Sequence, residues 1–251
     1  MLMVGVDEAG RGPVLGPLVV VAAAIPEEHL EILIERGVKD SKDLTHKKRM
    51  EIVEWFLAQS ATHGWKYSTI ICQPERIDHG VQTTGLNLLE VELFAEALVE
   101  LYSQTNESLI VMNDACDVNE QRFSNRIIQR LPNWPWKDST LSSEHKADTN
   151  HPVVGMASIL AKVERDRCIA QLEQKIGMTL GSGYPSDPKT KSVLNELLQE
   201  KLPHPALRWS WKTVTRAWKE LYNAEPPKRV FLEKNQTTPV SYTHLTLPTK
   251  A

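Results

Sequence analysis

The sequence predicts an α/β protein, a sheet with a C-terminal helical lobe. Three observations carry this prediction. Short Val-rich runs bounded by Gly or Pro come early in the chain. Segments with helical spacing alternate with them. Beyond about residue 141 only helical segments remain.

The elements follow in order. Met3–Val6 and Leu18–Ala24 read as strands, the second apolar throughout and so buried on both faces. Glu27–Arg36 is helix-like. Residues 40–57 start polar and become amphipathic through Met50, Ile52, Val53, Phe56 and Leu57, which predicts a helix. Trp65–Cys72 alternates like a strand. Thr83 and Thr84 precede Leu86, Leu88, Leu89, Val91, Leu93, Phe94, Ala97, Leu98 and Leu101. That is a long, mostly buried helix with a Thr cap. Leu109–Met112 is a buried strand. Asn119–Leu131 is helical, and Thr140–Leu141 belongs to a short strand. Pro152 opens a helix that runs to Ile176. Gly181–Pro188 is an exposed, turn-rich loop. Lys191–Lys201 and Thr213–Tyr222 are two further helices. No internal repeat is present.

Composition narrows the function classes. A chain of 251 residues can bury a core without disulfides or a structural metal. Its net charge of −3 rules out a histone-like binder, so nucleic acid would need a local basic patch. Cys72, Cys116 and Cys168 form no CxxC pair and are read as reduced thiols of a cytoplasmic protein. Asp7 and Glu8 interrupt any secretory signal, and Leu15–Ile25 is too short and too broken to span a bilayer. The stretch Pro239–Ala251 has no workable period. It is expected to be a non-native, adaptor-derived tail, with a natural disordered tail as the alternative.

The segment Val4–Pro17 carries GVDEAGRGPVLGP. A strand delivers Asp7 and Glu8 into a glycine-rich turn. Neighbours on a strand point to opposite faces, so both serve one site only at a strand end or a bend. Gly10 and Gly12 let backbone approach a ligand, and Arg11 between them adds a cation. The spacing Gly10-x-Gly12-x-x-x-Gly16 is not a dinucleotide fingerprint, and Pro13 removes a donor that phosphate would need. Asp114 follows a buried strand and Asp148 precedes a helix. By position alone each also fits a turn or cap residue. Together the four carboxylates suit hard oxygen-seeking cations such as Mg²⁺. A pair of such ions can promote attack on a phosphodiester. His145 and His151 flank Asp148 without a zinc spacing and read as satisfied loop histidines.

Several motifs now align with a known family. GVDEAGRGPVLGP resembles the opening motif of the type 2 ribonuclease H family. Asp40-Ser41-Lys42-Asp43-Leu44 is similar to its DSK-x-L segment. Asn113–Asn119, Glu144–Asp148, Ala157–Asp166, the Gly181–Pro188 loop and Arg208–Thr213 resemble its later motifs, in the family's order over about residues 4–213. The wording at Asn113–Asn119 and Glu144–Asp148 is closer to archaeal and eukaryotic members.

The resemblance implies a ribonuclease H-like fold, with a mixed, mainly parallel sheet flanked by helices and a C-terminal helical extension. The catalytic domain is expected over 1–190, the helical lobe over 191–235 and a tail over 236–251. Asp7, Glu8, Asp114 and Asp148 are implied as the metal-binding catalytic set, with two Mg²⁺ or Mn²⁺ ions when substrate is bound. Gly10, Arg11 and Gly12 are implied to read a ribose 2′-hydroxyl, the group that separates RNA from DNA. Tyr184 is implied to pack on the nucleotide beside the cleaved bond, though by itself it also fits a turn anchor.

Ser158 and Lys162 lie one turn apart on the helix after Pro152. Lys162, Lys42 and Lys146 are candidate phosphate contacts, or else solvated lysines. Trp209, Trp211 and Trp218 sit among basic residues and are expected to pack the C-terminal lobe. The implied activity is hydrolysis of RNA in RNA/DNA hybrids and cleavage 5′ of single ribonucleotides in duplex DNA. A strand transferase, which needs no 2′-hydroxyl reader, and an inactive hybrid-binding module are the rival readings. A monomer is expected, without a membrane. Gln236-Thr237-Thr238 begins a sliding-clamp docking pattern that Pro239 cuts short.

Overall fold

The computed structural model describes residues 1–38, 44–199 and 201–231. In chain order, β1 is Leu2–Ala9 and β2 is Leu18–Pro26. A 3₁₀ turn at Glu27–His29 leads into α1, Leu30–Glu35. Next come α2 (His46–His63), β3 (Lys66–Cys72), α3 (Pro74–Thr83) and α4 (Leu86–Tyr102). Then β4 (Leu109–Asp114), α5 (Glu120–Ile128), β5 (Thr140–Glu144) and α6 (Ala147–Asn150) follow. The chain ends in α7 (Pro152–Ile176), α8 (Pro188–Leu194), a 3₁₀ turn at Glu196–Leu198 and α9 (Lys212–Tyr222).

The strands form one sheet in the order β3-β2-β1-β4-β5. The mixed sheet is as expected, but it is not mainly parallel. β1 pairs with β4, and β4 with β5, in parallel; β2 pairs antiparallel with both β1 and β3. For the β1–β2 pair the reason is local: the connection is too short for a crossover, so the chain must turn back.

Helices cover both faces. Val20, Ala22 and Ala24 of β2 join Val4 and Val6 of β1 in a core under α4. Val19, Val21, Ala23 and Ile25 face the other way, under α7 and α2. Strand β2 is therefore buried on both sides, as its unbroken apolar sequence requires. Helix α7 lies very close to β1. A Cβ on Gly5 would stand 2.4 Å from backbone atoms of Val153 and Val154. The glycine thus sets the distance between the central strand and the start of α7.

A third cluster joins Val14 and Leu15, Ile169 of α7, Leu194, Leu198, Leu207 and Trp218. Backbone bonds stitch the same region. Val14 donates to Gly183 O at 2.8 Å, Gly16 to Ala206 O at 3.0 Å, and Arg208 to Val14 O at 2.8 Å. The C-terminal helices are thereby fastened to the turn that follows β1.

Other differences from the sequence reading have physical causes. No Thr caps α4. Thr83 ends α3, its hydroxyl donating to His79 O, and Gly85 with φ of 88° makes the N-cap. Helix α3 was not expected, because PERIDHGVQT carries few apolar residues; Pro74 at its first turn is its sequence signal. The helix expected over 40–57 starts at His46, after the Thr45 cap. The one expected over Lys191–Lys201 starts at Pro188, where Asp187 caps it, and ends at Leu194.

Candidate active site

The C-terminal ends of the parallel neighbours β1 and β4 meet the start of α6 at one end of the strands. Asp7 and Glu8 are the last residues of β1 but one, and Asp114 ends the neighbouring β4. Asp148 sits in the first turn of α6, on the path from β5 into α7. Asp114 fixes that path, since its Oδ1 accepts the Ala147 amide at 2.8 Å. Asp7 lies on the α7 face, where the Ser158 hydroxyl bonds it; Glu8 lies on the α4 face, toward Glu90 and Cys116. Carboxylate oxygens of Asp7, Glu8 and Asp114 nonetheless come within 4.8 Å of one another. The strand-end position resolves the opposite-face problem. Asp148 lines the same cleft, a space of about 400 Å³.

Burial and neighbouring carboxylates raise the proton affinity of Asp7 and Glu8. Burial first, and then the charges of Glu8 and Asp114, hold Asp7 well above the usual carboxylate range. Burial, then Glu90 and Asp114, push Glu8 up to about 7. The donor set fits a divalent cation of the magnesium class: all hard carboxylate oxygens, gathered and largely buried, with excess negative charge. Asp7, Glu8, Asp114 and Asp148 are the residues that would hold it.

Beyond the carboxylates, the cleft is lined by Gly10, Arg11, Arg49, Ser158, Lys162, Arg165 and Tyr184. Gly10 has φ of +93° and its Cβ would fall 2.5 Å from the Arg165 side chain, so only glycine fits this turn. Arg11 donates from Nε to Glu90 Oε1 at 2.6 Å and from Nη2 to Asn87 Oδ1 at 2.8 Å. Gly12 lies against the half-exposed Tyr184 ring; its Cβ would stand 3.3 Å from Cε1. Arg165 donates to Ser182 O at 2.8 Å, and its guanidinium lies over the Tyr184 ring. Lys162 reaches Ser158 Oγ at 3.4 Å. Lys146 is exposed, adopts φ of 59° at the start of α6, and is not among the residues lining the cleft. Lys42 lies outside the described residues.

Arg208 holds the turn from below. Fully buried, it donates from Nε to Gly16 O at 3.0 Å, from Nη1 to Arg11 O at 3.0 Å and from Nη2 to Gly10 O at 2.6 Å. Trp211 adds a bond to Gly12 O at 3.2 Å. Trp218 packs in the third core, and Trp209 and Trp211 pack against its edge. His151 pairs with Glu144 at 2.8 Å, the satisfied loop histidine the sequence suggests. Sequence reasoning missed Glu90, Arg165 and the anchoring role of Arg208. Glu90 is one of four glutamates in α4, with Glu92, Glu96 and Glu100, and nothing local marks it as the buried one.

The family model for ribonuclease HII matches residues 4–214. The chain belongs to the ribonuclease HII family. It is 41% identical over 221 residues to the ribonuclease HII of Methanococcus maripaludis strain C6, covering 88% of each chain. It is 45% identical over 213 residues to that of Pyrococcus furiosus, covering 84% of this chain and 89% of the relative. The crystal structure of ribonuclease H2 from Pyrococcus horikoshii OT3 superposes with a TM-score of 0.77 at 38% identity, over 89% of this chain and all of that one. The ribonuclease HII in a PCNA complex from Archaeoglobus fulgidus gives 0.71 at 34% identity, over 84% and 96%. A ribonuclease HIII solved with Mn²⁺ shares the fold at 18% identity, TM-score 0.72, over 89% of this chain and 71% of that one. A ribonuclease HII is a metal-dependent ribonuclease H that hydrolyses RNA in RNA/DNA hybrids. Among the described residues no helix is long and apolar enough to cross a membrane.

Proposed function

We propose that the enzyme also cuts 5′ of a single ribonucleotide in duplex DNA, leaving a 3′-hydroxyl and a 5′-phosphate. It would thereby serve ribonucleotide excision repair and RNA primer removal. The observation that carries this reading is the juxtaposition at the end of β1. The Asp7–Glu8–Asp114 cluster stands one residue away from the Gly10–Gly12 turn, which lines the same cleft through Gly10 and Arg11 and is exposed at Gly12. Chemistry and a probe for the ribose 2′-hydroxyl share one strand end.

In this reading Asp7, Glu8, Asp114 and Asp148 hold Mg²⁺ or Mn²⁺. The bound cations supply the positive charge that favours attack of water on the phosphodiester and departure of the 3′-oxygen. The remaining work falls to the chain's own groups. Ser158 orients Asp7 by a hydrogen bond. The Gly10–Gly12 turn, held by Arg208, meets the ribose, and Tyr184 stacks on the adjacent nucleotide. Arg49, Lys162 and Arg165 line the cleft and screen phosphate charge. A sliding clamp is a further proposed partner. Its support is the relative crystallised with PCNA, together with Gln236-Thr237-Thr238, which lie outside the described residues.

The test is cleavage of a labelled DNA duplex carrying one ribonucleotide, with Mg²⁺ or Mn²⁺, beside an all-DNA duplex. One cut 5′ of the ribonucleotide is expected, with none in the control. Asp7→Asn should slow it by at least about a hundredfold, more than loss of an outer-sphere partner does. Normal turnover by Asp7→Asn would remove the metal assignment. Cleavage of hybrid but never of the single-ribonucleotide duplex would remove the finer specificity.

A further inference from the structure

One buried charge has no part in the mechanism above. Glu90 lies in α4 between Leu89 and Val91 and is wholly inaccessible to solvent. Burying a carboxylate costs desolvation. This one also adds negative charge beside Glu8, with oxygens of Glu8 and Glu90 and the Cys116 sulfur within 4.8 Å of one another. A mere core filler at this position would be apolar.

The partner of Glu90 explains the charge. Its Oε1 accepts from Arg11 Nε at 2.6 Å, and Asn87, three residues earlier on the same helix face, accepts from Arg11 Nη2 at 2.8 Å. Two acceptors on α4 thus grip two nitrogens of one guanidinium. The grip sets its direction as well as its distance. Arg11 is the middle residue of the turn, and Arg208 holds the carbonyls of Gly10 and Arg11 from the opposite side. The backbone of the turn is clamped from the C-terminal region, and its side chain from α4.

We propose that Glu90 is a positioning residue: by gripping the Arg11 side chain it fixes the Gly10–Gly12 turn beside Glu8, at the spacing that recognition of a single ribonucleotide requires. The inference rests on the proposed reading of that turn as the 2′-hydroxyl reader. Glu90 acts through Arg11 and touches no substrate. Its removal therefore matters only while Arg11 is present. A purely structural role would instead lower activity whatever residue stands at position 11.

The experiment measures kcat/KM of the full chain on the single-ribonucleotide duplex with Mn²⁺, alongside melting temperature. The variants are Arg11→Ala, Glu90→Ala, Glu90→Gln and the two Glu90 changes in the Arg11→Ala background. Arg11→Ala and Glu90→Ala should each lose about ten- to a hundredfold, the range of one charge-assisted hydrogen bond. Glu90→Gln keeps the shape and an acceptor oxygen, so it should fold like the parent and lose less than Glu90→Ala. Either Glu90 change should cost nothing further once Arg11 is alanine. A Glu90 loss that persists in the Arg11→Ala background overturns the inference and leaves the reading of the turn intact. So does the absence of any Glu90 loss where Arg11→Ala shows one. Normal cleavage by Arg11→Ala likewise overturns the inference, whereas the reading of the turn, which rests on its backbone, falls only if the parent never cuts the single-ribonucleotide duplex. Should Glu90→Ala fail to fold, Glu90→Gln alone decides by the same comparison.

Discussion

Replacing Arg208 by lysine keeps a positive charge and removes the planar fork. The fork spans three carbonyls, those of Gly10, Arg11 and Gly16, at 2.6, 3.0 and 3.0 Å. An ammonium is a point donor and cannot reproduce three bonds that leave three separate nitrogens. We expect it to keep one, leaving two buried acceptors without their donor. Each such acceptor costs about 1–3 kcal/mol. A water entering the vacated space recovers part of this. Loss of the guanidinium over the Trp211 ring, at 4.9 Å, adds about 0.5–1 kcal/mol. The expected destabilisation is about 3 kcal/mol, a large share of the roughly 5–15 kcal/mol that holds a domain together. Urea unfolding of the metal-free chain measures it, as a lower midpoint with unchanged slope. The same variant should cut the single-ribonucleotide duplex more slowly, because the turn has lost its anchor. A loss of stability below about 1 kcal/mol would refute the reasoning, since the carbonyls would then be finding donors elsewhere.

Gly5→Ala should destabilise the chain by about 3 kcal/mol, near the top of the range for overpacking, because its Cβ would meet backbone at 2.4 Å rather than a movable side chain; thermal melts check it. Tyr184→Ala should lower cleavage at a single ribonucleotide by about ten- to a hundredfold, the worth of one stacking platform, with little change in melting temperature because the ring is 41% exposed. The pH dependence of the metal-free protein should run opposite to that of a protein held by salt-bridged carboxylates. Asp7 is raised, and Glu8 is raised to about 7, so the folded state holds these protons more tightly than the unfolded one. Their contribution is complete below the unfolded carboxyl range and is lost as pH rises through about 7. In chelator, the melting temperature should fall between pH 6 and pH 8, and saturating Mn²⁺ should abolish that fall. A flat profile in chelator would count against the raised values.

Local sequence carried the strands because their signal is local. β2 is apolar at every position since both of its faces are covered, and β1 announces its end with Asp7-Glu8 and a glycine turn. The carboxylates were legible for the same reason: each stands at the end of a recognisable element. What was hidden depends on contacts far apart in the chain. Arg208 meets Gly10 across 198 positions, and Glu90 meets Arg11 across 79. No periodicity reports such pairs. Glu90 was passed over: the apolar residues of α4 were read around it, and its burial depends on packing that the sequence pattern does not report. The expected Thr cap failed because Thr83 satisfies its hydroxyl within α3. The parallel character of the sheet was overstated because a short β1–β2 connection forces an antiparallel pair whatever the rest of the topology does.

The two clamps on the turn also explain why the anionic centre can persist in a folded chain. The charges that act on Asp7 are Glu8 and Asp114, both negative, and what opposes them is hydrogen bonding from Ser158 and the Glu8 amide. Among the nearby cations, Arg11 is spent on Glu90 and Asn87, and Arg165 bonds the carbonyl of Ser182. With both guanidiniums so engaged, burial and the neighbouring carboxylates hold Asp7 and Glu8 above the usual carboxylate range. Cation binding then displaces their protons and adds folding free energy in proportion to the logarithm of its concentration.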